Sequence, residues 1–350
     1  DDGSHVWSEA YNRELKDIFR IQEEISLTIV KKLEINLGKE NKEVMLKRHT
    51  EDNEAYQLYM QGYYQWQKMT PEGNQKAQEY YLKALEKDPE YALVYSILGS
   101  NFVFAGLLGF IPPEVAMQNS RKYTNKALEI DDSISVAHSM LGAISLVYDW
   151  DLEAAESGFL RSVELNPNAP WDRFFYSAYL RFNHQYEKAI EESLFVIEKD
   201  PFNIYLCTEV GITYLMAGRV QDAIERQKMT INIYPEGFMA HHNLAEAYEV
   251  NGQLDDAISY YDKAVKLSNG LPISQTRYAC ALHKTGRKEE AREIIEKMEQ
   301  MKENMYIPST YFVPYYLLVK DLDRARATGL IPEGIDLSTA ARWQKHAVAL

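Results

Sequence analysis

Cysteine is scarce in this chain: Cys207 and Cys280 are the only two in 350 residues. Two thiols so far apart read as buried side chains of a reducing, cytoplasmic compartment, not as a disulfide or a metal pair. No apolar run approaches the ~18 residues a membrane-spanning helix needs, so no membrane span is expected, and no signal peptide opens the chain. Basic blocks are missing too. With a net charge of −14 and no cluster of Lys and Arg, this segment has no means of gripping phosphate, which argues against a nucleic-acid partner. Catalytic strings are equally scarce. There is no Gly-rich phosphate loop, no kinase signature and no Gly-x-Ser-x-Gly elbow, so neither catalysis nor a cofactor is expected of this chain. An initiator Met is lacking, and the abrupt start at Asp1-Asp2-Gly3 reads as a piece of something longer.

What the chain does have is a period. Ala155, Ala189, Ala223, Ala257, Ala291 and Ala325 recur every 34 residues without a slip. Small residues run in step ahead of them, at Ala143, Ser177, Gly211, Ala245 and Ala279. Pro167, Pro201 and Pro235 follow at a fixed distance, then Asn269 in a Ser-Asn-Gly turn, while Gly218, Gly252 and Gly286 mark the middle of three repeats. Paired small residues let two helices approach closely. A mid-repeat Gly ends the first helix, and a closing Pro stops the second. This period and punctuation resemble the tetratricopeptide repeat, a helix–turn–helix unit. With 46% hydrophobic residues and 25 tyrosines to bury, the resemblance implies an all-α, right-handed superhelical solenoid of about seven or eight helix pairs.

Three regions are expected in order. Residues 1–52 hold the end of an upstream domain, with a short strand at Val6-Trp7-Ser8, and a junction helix over 17–37. In that helix Ile18, Ile21, Ile25, Ile29 and Leu33 share one face, and Gly38 closes it. Residues 53–328 form the solenoid, capped at its amino end by that helix. Its repeats run 54–89, 90–132, 133–167, 168–201, 202–235, 236–269 and 270–304, with a degenerate eighth over 311–327. The second is nine residues too long, and the excess, the apolar and Pro-containing stretch Gly106–Pro113, predicts an ordered loop packed locally at the turn between its helices. Residues 329–350 are a tail that could form a last capping helix.

The string VWSEAYNRELKDIFRIQEEISLTIVKKL resembles the junction in bacterial multidomain signalling proteins that join a TolB-like amino-terminal domain to tetratricopeptide repeats. AYQLYMQGYYQWQKMTPEGNQKAQEYYLKALEKDPEYA and VYDWDLEAAESGFLRSVELNPNAP are similar to repeats of that family. The resemblance implies an upstream effector: a winged-helix domain, an adenylate or guanylate cyclase, or a Ser/Thr kinase.

The histidine pair His241-His242 cannot put two ligands on one helix face, so structural roles are favoured over metal. The pairs Glu191-Glu192, Asp255-Asp256 and Glu289-Glu290 are expected at the starts of second helices, complementing the helix dipole. The first helix of the fourth repeat, PWDRFFYSAYLRFNHQ, is unusually aromatic. Carried over residue by residue, the family's concave-groove positions fall on Trp171, Phe174, Arg181 and Phe182, then Tyr205, Thr208, Leu215 and Met216, then Met239, His242, Glu246 and Glu249. Large aromatic and thioether side chains there suit a protein or peptide partner. The carboxylate clamp of chaperone-binding domains is not reproduced, since Asn243 lacks the accompanying Lys and Arg. The sequence therefore points to a non-catalytic interaction module whose partner is a peptide, another protein or its own effector domain. The alternatives are a regulatory part of a larger enzyme and a homodimer paired across the Val6-Trp7 strand.

Overall fold

Each helix hairpin follows from the chemistry at its ends. At the start of several helices, short polar side chains take up orphan backbone N–H groups. Asp52 Oδ1 accepts from Ala55 N at 2.8 Å, Thr70 Oγ1 from Gly73 N at 3.0 Å and Asp151 Oδ1 from Ala154 N at 3.0 Å. The computed structural model describes residues 49–303 and 306–328. Among these residues sixteen α-helices pair as hairpins, with no β-strand. The pairs are α1 (Asn53–Trp66) with α2 (Pro71–Lys87), α3 (Ala92–Leu107) with α4 (Pro113–Ile130), α5 (Ser135–Ile144) with α6 (Leu152–Leu165), and α7 (Pro170–Phe182) with α8 (Tyr186–Lys199). They continue as α9 (Ile204–Met216) with α10 (Val220–Ile233), α11 (Phe238–Val250) with α12 (Leu254–Leu267), α13 (Pro272–Lys284) with α14 (Lys288–Met301), and α15 (Val313–Leu318) with α16 (Leu322–Ala327). The all-α stack of helix pairs is the expected one. The capping helix over 17–37, the Val6–Ser8 strand and the tail 329–350 fall outside the described residues.

The turns inside the pairs share one device. Every one contains a residue with positive φ: Met69, Gly109, Trp150, His184, Gly218, Gly252, Gly286 and Lys320. The next backbone N–H then reaches back to close the helix end, as in Arg219 N to Tyr214 O at 2.8 Å, Gln253 N to Tyr248 O at 2.9 Å and Asp321 N to Tyr316 O at 2.9 Å. Glycine takes this conformation freely; a residue with a Cβ is strained in it. A Cβ on Gly218 would meet nothing within 4 Å, so Gly218→Ala should cost about 1 kcal/mol of conformational strain alone. Lys320 is exposed at the equivalent turn with φ 62°, and Lys320→Gly should gain about 0.5–1 kcal/mol. Thermal melts of the two variants, moving in opposite directions, check this; shifts of the same sign would refute it.

The chain divides into two compact units. The first comprises, among the described residues, 49–101 and 122–134. Its core is tyrosine-rich. Tyr81 and Tyr91 are buried, and the Tyr59 ring lies 6.3 Å from Tyr81 and 6.0 Å from Tyr91. Burial pushes the Tyr59 phenol up to about 12. Amides hold the hairpins in register: Gln78 Nε2 donates to Asn101 Oδ1 at 2.8 Å.

The second unit comprises 102–121 and the described residues from 135 onward. Here the grid alanines 155, 189, 223, 257, 291 and 325 are all wholly buried, as are Ser177, Ala245 and Ala279. Ser177 Oγ donates to Ala189 O at 3.0 Å, which ties the two small-residue rows together. Helix α5 runs into a π-helical turn at Ser145–Asp149, after which Trp150 adopts the left-handed conformation. The insert of the second repeat closes on itself, with Phe110 N donating to Ala105 O at 2.8 Å. Its packing is less local than expected. A Cβ on Gly109 would stand 2.6 Å from Pro308 Cγ and 3.2 Å from Tyr311 Oη, so the loop also rests on the stretch leading into α15.

Candidate functional site

The residues carried to the concave groove lie on α7, α9 and α11, the first helices of three consecutive pairs, each started by its own local signal. Pro170 stands at the first position of α7, Asn203 caps α9 through Tyr205 N at 3.2 Å, and the Gly237 backbone leads into α11. Trp171, Phe174, Phe182, Tyr205, Met216, Met239 and Glu246 are half-buried; Arg181, Thr208 and His242 are buried.

Trp171 meets the Phe104 ring edge-on at 5.5 Å and Phe174 at 5.5 Å. Phe175, buried beneath them, also contacts Phe104 at 5.5 Å. The aromatic start of α7 is therefore partly covered by the end of α3. Phe182 faces Trp150 at 6.0 Å. Burial raises the Tyr205 phenol well above its ordinary value.

The polar members serve the stack. The Arg181 guanidinium pairs with Glu209 of α9 and donates to Thr213 Oγ1 at 3.3 Å, all within the interior. Burial raises the Glu209 carboxyl, and the Arg181 charge opposes that shift. The Thr208 hydroxyl donates to Tyr205 O at 2.8 Å, and its carbonyl accepts from Gln227 Nε2 at 2.8 Å. His242 lies 5.5 Å from the Tyr261 ring, and burial lowers its pKa, with Glu246 pulling the other way. Glu246 pairs with Arg277 at 2.9 Å; Glu249 pairs with Lys284 at 2.5 Å and accepts from Tyr261 Oη at 2.8 Å.

Sequence reasoning missed this row of inter-repeat ion pairs. Arg277 and Lys284 lie on α13, a helix to which no groove residue was carried. A basic residue facing an acidic one across neighbouring first helices was the available signal. It also missed Asp172, buried beside the hydroxyls of Ser135 and Ser139 with neither carboxylate oxygen in a completed hydrogen bond. Two acidic pairs sit as expected, Asp255-Asp256 and Glu289-Glu290 in the first turns of α12 and α14. Glu191 and Glu192 do not: the chain enters α8 at Tyr186, so they fall a turn later, where Glu192 receives Arg173.

His241 Nε2 hydrogen-bonds Pro235 O at 2.8 Å, and its ring stacks on Tyr260. Cys207 and Cys280 are free and buried, and burial pushes the Cys280 thiol up to about 12. Among the described residues no group of His, Cys, Asp and Glu is placed to hold a metal ion, and no helix is long and apolar enough to cross a membrane. A cavity of about 390 Å³ between α14, α15 and α16, bordered by Glu299, Lys302 and Arg324, contains none of the groove residues.

Comparison with known proteins fits this architecture. Family models described as tetratricopeptide repeat match residues 238–271 and 274–304. The chain is 32% identical over 96 residues to a "putative adenylate cyclase 3" of Rhizobium meliloti (strain 1021), a match covering 27% of this chain and 16% of that protein. The chain thus spans about a sixth of that relative's length. Among solved structures, yeast Tom70 has a TM-score of 0.55 at 18% identity, covering 86% of this chain and 65% of that one. A tetratricopeptide repeat protein from Parabacteroides merdae ATCC 43184 has a TM-score of 0.51 at 15% identity, covering 79% and 99%. These likenesses concern the fold. The described residues thus form an all-α stack of helix pairs with the grid alanines wholly buried and a left-handed turn inside every pair, and residues 238–271 and 274–304 of it are tetratricopeptide repeats.

Proposed function

We propose that this chain is the non-catalytic interaction part of a bacterial, cytoplasmic signalling or regulatory protein, and that it binds a peptide or protein on the first helices of pairs four to six. Proteins built of tetratricopeptide repeats act as protein-interaction modules. The observation that carries the reading is the half-buried set Tyr205, Met216 and Met239. The packing of the alanine grid does not require large side chains there. Polarizable, partly accessible side chains are the kind that anchor a partner. Arg181, Thr208 and His242 support that surface from beneath.

The test places a photoreactive side chain at Tyr205, at Met239 or at Met229, which is 55% exposed on the second helix α10. In the full-length natural protein, crosslinks to a common partner should arise from Tyr205 and Met239 and not from Met229. Equal yields from all three would sink the reading. Tyr205→Ala and Met239→Ala should each weaken that interaction by about tenfold or more.

The cyclase similarity supports a second, compatible reading: the chain is a regulatory part of a larger nucleotide cyclase. The gene sequence upstream of Asp1 tests it, since a cyclase domain there supports it and its absence removes it.

A further inference from the structure

The second repeat carries an insert that the other repeats lack, and it reaches far along the chain. Just ahead of it, Phe104 in the last turn of α3 packs on Trp171 and Phe175 of α7. Gly109, at the tip, is buried against Pro308 and Tyr311. Two features make Gly109 the only residue that fits: its φ is +70°, and a Cβ would stand 2.6 Å from Pro308 Cγ and 3.0 Å from Pro308 Cδ. The receiving surface is well buried, with Ile307 1% and Phe312 2% exposed. Both contacts lie within the second unit, and both engage first-helix elements: the aromatic start of α7 and the lead into α15. Leu108, Phe110 and Ile111 are half-buried on the way.

We propose that residues 107–112 are an internal ligand, an apolar, proline-bearing segment held against the first-helix side of the second unit at the lead into α15, which a partner must displace to gain the α15 end of that surface. An exposed connecting loop would be expected to be polar, and a nine-residue excess needs no burial of its own. Leu-Leu-Gly-Phe-Ile-Pro-Pro is apolar throughout, and its one glycine is the residue pressed against Pro308. The occupant also defines the chemistry that the surface accepts. A competing partner presents aliphatic and aromatic side chains around a glycine or a tight turn, with no charge at the centre. Competition lowers a partner's apparent affinity by the fraction of molecules in which the segment is docked. The competition with a partner rests on the proposed groove; the docking of the segment does not.

The test needs only this chain and its own peptide. In one variant, residues 107–112 are exchanged for Ala-Gly-Arg, the turn that serves the fifth pair. A fluorescent peptide of residues 106–113 should bind this shortened chain, and bind the intact chain at least about tenfold more weakly. In the intact chain, amides of 307–318 should exchange with deuterium at least about tenfold more slowly than in the shortened one. Should the shortened chain fail to fold, Pro308→Ala removes the ring beneath Gly109 and should speed exchange over 106–112. Equal peptide binding to both chains, no binding to either, or exchange unchanged in both variants would overturn the proposal. A failed search for partners leaves these readouts intact, and their failure leaves the crosslinking at Tyr205 and Met239 unaffected.

Discussion

Arg181→Ala should destabilise the fold by about 3–5 kcal/mol, because it strands the Glu209 carboxylate in the interior without its counter-charge. Side-chain exposures of 8% and 4% leave water little access to either partner. The pair itself need not be strongly stabilising. Both ions lose hydration on burial, and their attraction offsets that cost only while both are present. The double change Arg181→Met with Glu209→Met should therefore lose far less than Arg181→Ala alone, and Glu209→Gln should fall between them. Denaturant unfolding of the three variants measures this. A loss below about 1 kcal/mol for Arg181→Ala, the range of solvent-exposed pairs, would show that the interaction is not buried in solution.

Asp172→Asn should raise stability at and above neutral pH and leave it nearly unchanged only at or below about pH 4. Burial pushes the Asp172 carboxyl from 3.8 up to about 7, and the Ser135 and Ser139 hydroxyls only partly oppose it. The folded protein thus holds a proton that the unfolded chain releases near 3.8. Its stabilising contribution is complete below that value and is lost as pH rises through about 7. A shift of this size corresponds to on the order of 4 kcal/mol between the two limits. His242 acts in the opposite sense. Burial lowers its pKa, so its contribution is present above the ordinary 6.5 and declines as pH falls below it. Below 6.5 the two groups oppose each other, and above about pH 7 neither changes further. Asp172→Asn should remove the loss of melting temperature that the parent shows as pH rises from about 4 to about 7, and His242→Gln the loss that sets in below 6.5. A decline between about pH 4 and 7 equally steep in Asp172→Asn and the parent would rule Asp172 out as its source.

The repeat architecture was legible because its requirements are local and recur. Ala155 and its successors must be small where two helices touch, and Gly218, Gly252 and Gly286 must turn left-handed, so the period appears in the letters themselves. The same grid position holds Trp150, His184 and Lys320, and there composition hid the turn, since the conformation is imposed by the flanking helices over the residue's own preference. The groove was harder to read. The helix face could be assigned, but accessibility depends on what the neighbouring repeat presents. Arg181 was carried to the groove face, and only the structure brings it onto Glu209 of the next first helix. Trp171 was covered by Phe104 from two pairs earlier, and Gly109 by Pro308 from near the other end of the chain. Contacts of that range leave no periodic trace.

The meeting of Gly109 with Pro308 changes how the second unit should come apart. In an open stack of repeats each pair feels only its neighbours, so unfolding begins at a free end and spreads like a zipper. Here pairs three to seven lie between two segments that touch, and the zipper becomes a loop of links with no free end inside it. Fraying of the last pair has to break the junction as well as its own interface. The late, short helices α15 and α16 are thereby tied to a contact formed only once the rest of the array is built. Closing so long a circuit is slow in folding, and it suppresses partial opening once complete. A linear array would have shed its final hairpin first; this one is expected to lose it together with the insert.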